Sequence, residues 1–377
     1  MTATPSHPHL EPVLVLGAGL MGRLLAWQLA KHGHRVDLLD AGPPEGSSSA
    51  ARVAAAMLAP LAESAVTEPN VVAMGQYALP RWRELLQQLP EPVFFQQQGT
   101  LVLWHRQDAA EAQRFNGLLA KTRQTLPTLP APENVHGARL ASLEPAVAQR
   151  FHQGVYLPEE GQLDNRQLLQ ALLKALAQQG TVVQWHTPCT LDQALELQQK
   201  RGGWVLDCRG LGAQADWPTP GPTLRGVRGE VARLHAPGVT LQRPTRLLHP
   251  RYPIYIAPKQ DHVFVIGATE IETNDLSPAS VRSTLELLSA AYAVHPGFGE
   301  ARILELNSQC RPTLPDNLPT VRQAAPKVLQ INGLYRHGFM ISPAVLDAVV
   351  EHMHSGTQTL AAQLQLCFQV NTLQPLA

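Results

Sequence analysis

The sequence predicts an α/β fold, α+β overall, in which a Rossmann-like nucleotide-binding domain is interleaved with a β-rich, antiparallel substrate domain. Three observations predict this class. A strand, glycine turn, helix and strand open the chain, strand patterns dominate the middle, and a strand–glycine–helix element returns near the end. The 377 residues are 44% hydrophobic, which is enough for two cores rather than one.

Composition excludes several classes of function. Lys+Arg and Asp+Glu both number 30, so no nucleic-acid groove or basic membrane patch is expected. The longest run of small apolar residues, 53–62, is too short to cross a membrane. Four widely spaced cysteines without a C-x-x-C pair favour a cytoplasmic location, and the histidines show no metal-binding spacing. Residues 1–10 lack a signal-peptide core and are predicted to form a flexible tail.

The most informative segment is 13–40. An apolar strand leads into Gly17, Gly19 and Gly22, a helix follows, and a second strand ends in Asp40. Dinucleotide binding requires this order, because the first glycine permits a tight turn and the second lets backbone approach a pyrophosphate. The third glycine allows close helix–strand packing, and the acid accepts hydrogen bonds from a ribose. The helix N-terminus favours the phosphate charge. The alternative is a glycine-rich turn in an ordinary α/β unit.

The next segment, 47–59, begins with three serines and continues with many alanines. Small side chains permit a close approach of backbone to a flat or bulky group. Downstream, period-3.6 patterns and capping signals predict five further helices. They are 71–89 with a kink or break at Pro80, 109–121, 165–178 after the N-cap Asp164, 277–292 opened by Ser277-Pro278, and 344–353 opened by Ser342-Pro343.

Short apolar or alternating runs between these helices predict strands. They are 99–105, 181–186, 204–207, 230–234, 254–257, 262–266, 301–306 and 327–331. The predicted nucleotide-binding domain comprises 11–85, 145–220 and 308–365, and the predicted substrate domain comprises 86–144 and 221–307.

Four motifs carry a resemblance to a known family. They are the fingerprint 17–40, the segment 48–60, the pair 255–258 and 265–270, and the pair 310–312 and 333–340. In this order and spacing the chain resembles the FAD-dependent amine oxidases of the D-amino-acid oxidase type, and among them the glycine oxidases of the thiamine pathway. The resemblance covers nearly the whole chain.

The resemblance implies non-covalent FAD as the cofactor. It places serines near the pyrophosphate, alanines against the flavin, a backbone contact to adenine at Cys189, and a turn along the pyrimidine edge. There the helix after Ser342 would stabilise negative charge on the reduced ring. The implied cofactor-binding residues are Gly17, Gly19, Leu20, Met21, Gly22, Asp40, Ser48, Ser49, Ala55, Ala56, Met57, Cys189, Arg209, Gly210, Gly333, Arg336, His337, Gly338, Phe339 and Met340.

The resemblance also implies a substrate site. Arg311 would hold a substrate carboxylate, which suits the planar guanidinium, and Tyr255 would add a hydroxyl. Arg336 would assist the charge balance. Glu270 departs from the apolar residue of some relatives: it would bind the substrate amine, limit side-chain size, or lie on the surface. The alternatives are a structural ion pair for Arg311 and a sheet-face aromatic for Tyr255. Cys310 is either an inert core thiol or a covalent flavin attachment point.

The implied activity is oxidative deamination of glycine, or of other small amines or D-amino acids, to an imine and glyoxylate. Dioxygen would be the oxidant and hydrogen peroxide a product, with thiamine biosynthesis as the purpose and a homo-oligomer as the assembly. Three alternatives remain open from the sequence. They are a D-amino-acid dehydrogenase that reduces a quinone, an NAD-dependent dehydrogenase, and a flavin-binding module without catalysis.

Overall fold

A computed structural model describes residues 10–217 and 223–369. The predicted tail therefore lies outside the described residues, except for Leu10. The strands are β1 Val13–Leu16, β2 Val36–Leu39, β3 Met57–Leu58, β4 Phe95–Gln96, β5 Thr100–Trp104, β6 Glu133–His136, β7 Gln153–Leu157, β8 Gly161–Leu163, β9 Val183–Gln184, β10 Trp204–Asp207, β11 Arg225–His235, β12 Thr245–Leu248, β13 Ile254–Pro258, β14 Val263–Gly267, β15 Arg302–Thr313, β16 Thr320–Ala325, β17 Val328–Asn332 and β18 Cys367–Gln369.

Helices alternate with the strands in the first half of the chain and cluster again near its end. The α-helices are α1 Leu20–Lys31, α2 Ala50–Val53, α3 Pro60–Glu63, α4 Pro69–Gln87, α5 Ala109–Thr125, α6 Gly137–Leu143, α7 Asn165–Gln178, α8 Leu191–Arg201, α9 Val281–Val294, α10 Gly338–Ser355 and α11 Thr359–Gln363.

The nucleotide-binding layer is a seven-stranded sheet in the order β18-β16-β17-β10-β1-β2-β9. Its centre is parallel: β1 pairs with β2 on one side and with β10 on the other, and β10 pairs with β17. Helices α1, α7, α4 and α10 cover it in one continuous apolar core. A parallel sheet of this kind places its ligand site at the carboxyl ends of the strands.

The second layer is an eight-stranded sheet in the order β15-β11-β14-β13-β12-β5-β7-β6. Neighbouring strands are antiparallel except β12 and β5, which run parallel. A three-stranded sheet, β3-β8-β4, completes the molecule. The predicted α/β class, with a Rossmann-like sheet and an antiparallel-rich second sheet, is confirmed. The domain boundaries stay a prediction; β7, inside predicted segment 145–220, pairs within the eight-stranded sheet.

Helix α4 begins two residues before the predicted start and runs through Pro80 without a break. Two other helix starts differ from the prediction by four residues or more. The helix expected at Ser277-Pro278 begins at Val281, because Ser280 is its N-cap and accepts a hydrogen bond from Ser283 N at 3.1 Å. The preceding segment is fixed instead by Arg228, whose guanidinium donates to the Pro278 carbonyl at 2.9 Å.

The predicted strand 181–186 is limited to β9, since His186 turns away with φ +53°.

The last long helix begins at Gly338, not after Ser342-Pro343. Proline in a helix leaves the carbonyl four residues earlier without its backbone donor, here that of Phe339. The Trp82 indole N–H donates to that carbonyl at 2.7 Å, so the helix accommodates the proline. A partner from α4, distant in sequence, therefore satisfies the carbonyl that Pro343 leaves without a backbone donor.

Candidate active site

One large cavity joins the two sheets. Its volume is about 1560 Å³, larger than the several hundred Å³ typical of a drug-sized ligand. One end is the glycine turn after β1, and the other is the face of the eight-stranded sheet. The cavity is therefore large enough for an extended dinucleotide together with a small substrate.

The glycine turn is shaped by close backbone contacts. Gly17 has φ +89°, and a Cβ there would lie 2.7 Å from the Cys208 carbonyl oxygen. A Cβ on Gly22 would lie 1.8 Å from the Gly17 carbonyl oxygen, so this glycine serves helix–turn packing. The N-cap of α1 is Gly19, which has no side chain to cap the first-turn N–H groups. These groups are left to a ligand, the arrangement that binds diphosphates.

Asp40 stands beside this turn at the end of β2. Its carboxylate accepts hydrogen bonds from Ala18 N at 2.5 Å and from Gly42 N at 2.7 Å. Each carboxylate oxygen has a second lone pair, so Asp40 retains the capacity to accept from a ribose hydroxyl. The backbone bonds fix the direction of the carboxylate toward the cavity it lines.

Arg209 stabilises the far wall of the cradle. Its guanidinium pairs with Asp207 at 2.8 Å and Asp216 at 2.7 Å, and it donates to the Cys189 carbonyl at 2.8 Å. Burial opposes the charge, but these two carboxylates raise the pKa of Arg209 above its ordinary value. Arg209 thus fixes the Cys189 segment next to the cavity. The glycine turn, Asp40 and this segment together form a dinucleotide cradle. The cradle fits FAD, because it offers an uncapped helix end for the diphosphate, an acceptor for the ribose and room for adenine.

A buried lysine lies behind the alanine-rich segment. The Lys259 ammonium donates to the Ala55 carbonyl at 2.8 Å, the Leu163 carbonyl at 2.7 Å and the Gln162 side chain at 3.0 Å. Burial lowers its pKa to about 7. These contacts fix the backbone of Ala55, which lines the cavity between its two ends. Sequence reasoning missed Lys259, since it lies in the short connection between two predicted strands, where no motif marks it.

Arg311 extends from β15 over the face of the second sheet. Its two terminal nitrogens both donate to the Thr269 carbonyl at 3.2 Å. In residues 10–217 and 223–369, no carboxylate lies within 4.0 Å of its guanidinium. A Cβ at Gly229 would lie 2.4 Å from Arg311 Nη2, so the missing side chain makes the space that Arg311 occupies. The geometry opposes the alternative of a structural ion pair.

Tyr255 lies in a cross-strand row next to this arginine. It pairs with Arg246 on one side and with Gly267 on the other. A Cβ at Gly267 would lie 2.4 Å from the Tyr255 hydroxyl, so this glycine makes room for the ring. Burial raises the pKa of Tyr255, and Arg311 opposes the rise. The phenol therefore stays protonated and is able to donate a hydrogen bond.

A buried carboxylate organises the remaining charges. Glu63, at the end of α3, pairs with Arg246 at 2.5 Å and with Arg336 at 3.1 Å. Burial would raise the pKa of Glu63, but the two guanidinium groups outweigh it and hold the pKa well below its usual range. Burial lowers the pKa of the adjacent His337 to about 4, so that imidazole is neutral at pH 7. Glu63 is thus an anion that anchors two arginines.

Glu270 lies at the cavity with half of its side chain exposed. The Tyr335 hydroxyl donates to one carboxylate oxygen, and Arg336 Nη1 donates to the other at 3.1 Å. Burial, reinforced by Glu270, raises the pKa of Tyr335 to about 12. Glu270 therefore joins Glu63, Arg246 and Arg336 in one charged cluster and is not a free surface residue.

Nearly all residues predicted from the sequence meet in this one cavity. The exceptions are Gly22 and Gly333, which shape turns behind it. Sequence reasoning did not assign Glu63, Arg246 or Tyr335. Glu63 and Arg246 are 183 positions apart, so no local spacing connects them. Burial raises the pKa of the Cys310 thiol, which leaves it protonated and weakly nucleophilic.

The described residues form neither a metal-binding cluster nor a membrane-spanning helix. Across 10–217 and 223–369, no group of three or more His, Cys, Asp or Glu residues is arranged to hold a metal ion. In the same part of the chain, no helix combines the length and the apolar character that crossing a membrane demands. All four cysteines are free thiols.

Comparison with known proteins adds independent findings. The family described as DAO, FAD dependent oxidoreductase, matches residues 12–351. A Rhizobium etli protein named as a thiamine biosynthesis oxidoreductase, ThiO, is 39% identical over 341 residues, which span 90% of this chain and 96% of that protein. The glycine oxidase of Geobacillus kaustophilus is 25% identical over 360 residues, 89% of this chain and 90% of that protein. The glycine oxidase structure from Bacillus cereus has a TM-score of 0.78 at 18% identity and covers 97% of this chain and 100% of that one.

Proposed function

Because the chain belongs to the DAO family of FAD-dependent oxidoreductases, we propose that it oxidises glycine or another small amino acid in this cavity. One observation carries the proposal. A guanidinium without a carboxylate partner within the described residues, that of Arg311, lies in the cavity whose opposite end is the dinucleotide cradle. A cation without such a partner, beside a redox cofactor site, suits a substrate with a carboxylate.

The residues divide the work in a simple way. Arg311 and Tyr255 hold the substrate carboxylate, which orients the Cα–H bond toward the cofactor. The bound flavin supplies the two-electron acceptor. Three arginines keep the site positive, which favours the anionic substrate end, while Glu63 keeps two of them in place. Substrate orientation and electrostatics supply the catalysis. Because the flavin accepts the two electrons, the reaction needs no side chain as a general base.

We assign to the N-terminus of α10 the role that the sequence predicted for a helix starting six residues later, at 344. Its first residues, 338–340, line the cavity, and the helix dipole there favours negative charge on a bound, reduced cofactor. Arg336 adds a full positive charge next to that helix end. We assign these residues, together with the glycine turn and the alanine segment, to FAD.

We also propose dioxygen as the electron acceptor, a role in thiamine biosynthesis, a homo-oligomeric assembly and a cytoplasmic location. The relative from Rhizobium etli supports the pathway, and the free cysteines support a reducing compartment. A dehydrogenase that reduces a quinone is the competing hypothesis. Consumption of oxygen and formation of peroxide during turnover would separate the two.

The test is an absorbance spectrum of the purified protein followed by anaerobic titration with glycine, sarcosine and D-alanine. Loss of the flavin absorption band, strongest with glycine, is the expected result. Bleaching by larger D-amino acids alone would keep the reaction class and change the substrate. A bound flavin that no amino acid reduces would overturn the proposal.

A further inference from the structure

We propose that Glu270 is a built-in carboxylate that fills a second anion subsite and thereby restricts the enzyme to amines with a single carboxylate. The inference rests on the proposed function, in which Arg311 receives the substrate carboxylate. It assigns Glu270 as a specificity-determining residue and names the class that it excludes: amines with two carboxylates.

The cavity contains two tyrosine–arginine pairs of similar chemistry. Tyr255 and Arg311 form the first, and no carboxylate within the described residues occupies it. Tyr335 and Arg336 form the second, and both donate to the carboxylate of Glu270. A phenol with a guanidinium is a donor set that suits a carboxylate, and here the protein supplies the anion itself.

The donors of the second pair are held in place independently of Glu270. Arg336 Nε pairs with Glu63 at 3.1 Å, and Glu63 is the largest cause that raises the pKa of Arg336. The ring of Tyr335 packs edge-on against His337 with centroids 5.8 Å apart. Removal of Glu270 therefore leaves a preformed anion site rather than a collapsed one.

The two subsites are adjacent. Both terminal nitrogens of Arg311 donate to the Thr269 carbonyl, and Glu270 is the next residue. Thr269, which touches the first subsite, and Glu270, which fills the second, are neighbours along the chain, about 3.8 Å apart between Cα atoms. Burial raises the pKa of Tyr335 and Arg311 opposes that rise, while Glu63 and, to a lesser extent, Tyr255 raise the pKa of Arg336. The two pairs therefore lie within electrostatic reach of each other.

The charge balance leads to the same conclusion. The guanidinium groups of Arg246, Arg311 and Arg336 face the carboxylates of Glu63 and Glu270, while the buried His337 is neutral. Within this group of three arginines and two glutamates, one positive charge is unbalanced, which a monocarboxylate neutralises. A second substrate carboxylate at Tyr335 and Arg336 would meet donors already engaged by Glu270, and repulsion between the two carboxylates would exclude it.

The experiment measures dissociation constants of acetate, malonate and iminodiacetate for the FAD-loaded protein, from ligand-induced changes in flavin absorbance and from calorimetry. Glu270→Ala is the main variant. Glu272→Ala is the matched control, because it removes the same charge two residues away from a side chain that is 64% exposed and outside the cavity lining. Glu270→Gln removes the charge but keeps a group that fills the subsite.

We expect Glu270→Ala to bind malonate and iminodiacetate roughly tenfold or more tightly than the wild type, relative to acetate. Glu270→Gln should gain less affinity for the dicarboxylates, and Glu272→Ala should bind all three ligands as the wild type does. An equal gain for acetate and the dicarboxylates, or no gain, would overturn the inference while leaving the proposed function intact. Failure of acetate to bind the wild-type protein would overturn the proposed function and this inference with it.

Discussion

Replacement of Glu63 by glutamine tests the central role of the buried carboxylate. The side chain keeps its size and loses its charge, so packing is preserved while Arg246 and Arg336 lose their shared anion. Removal of one partner from a buried ion pair costs about 3–5 kcal/mol. Arg336 retains Glu270 and some exposure to the cavity, whereas Arg246 is left without a carboxylate partner within the described residues. We therefore expect the free energy of unfolding to fall by about 3 kcal/mol, the lower end of that range.

Urea unfolding followed by tryptophan fluorescence, at one fixed FAD concentration, measures the change, because bound cofactor itself shifts stability. Glu84→Gln is the control: Glu84 pairs with Arg81 at 2.9 Å but is 62% exposed, so about 0.5 kcal/mol is expected. Equal losses for the two variants would refute the reasoning that Glu63 is a buried anchor.

The same variant has a signed pH dependence. The depressed pKa of Glu63 stabilises the fold above the unfolded-state value near 4.5 and loses that contribution as the pH falls toward the folded-state pKa. The difference in free energy of unfolding between the wild type and Glu63→Gln should accordingly be constant near pH 7 and shrink below about pH 4.5. A gap that grows on acidification would contradict the assignment of Glu63 as an anion.

Three further predictions address other parts of the site. Gly229→Ala should displace the Arg311 guanidinium, since the new Cβ would lie 2.4 Å from Nη2; steady-state kinetics should show a higher KM for glycine with urea stability nearly unchanged. Gly17→Ala should lower the FAD content of purified protein, measured by the ratio of flavin to protein absorbance, because φ +89° and backbone contacts exclude a side chain. Burial lowers the pKa of Lys259 from 10.5 to about 7, so the unfolded chain binds more protons above pH 7. The urea midpoint of the wild type should therefore rise between pH 7 and about pH 9, and Lys259→Met should flatten that rise.

The sequence by itself determined the nucleotide-binding end of the protein. The glycine turn and Asp40 follow from local rules, because the turn, the helix N-terminus and the acid lie within thirty residues of one another. The helix 165–178 was likewise predicted with its bounds, since the Asp164 cap is a local signal that the structure confirms. Arg311 and Tyr255 were identified by resemblance, and the structure places both in one cavity.

Only the tertiary structure decided which charges face each other. In α10 the carbonyl that Pro343 leaves free accepts a hydrogen bond from Trp82, and the start of α9 follows a segment that Arg228 fixes from strand β11. Glu63 reaches Arg246 across 183 residues, and Glu270 meets Tyr335 and Arg336 across more than sixty. Ion pairs and hydrogen bonds between distant segments have no periodicity along the chain, so they emerge only when the sheets and helices bring those segments together.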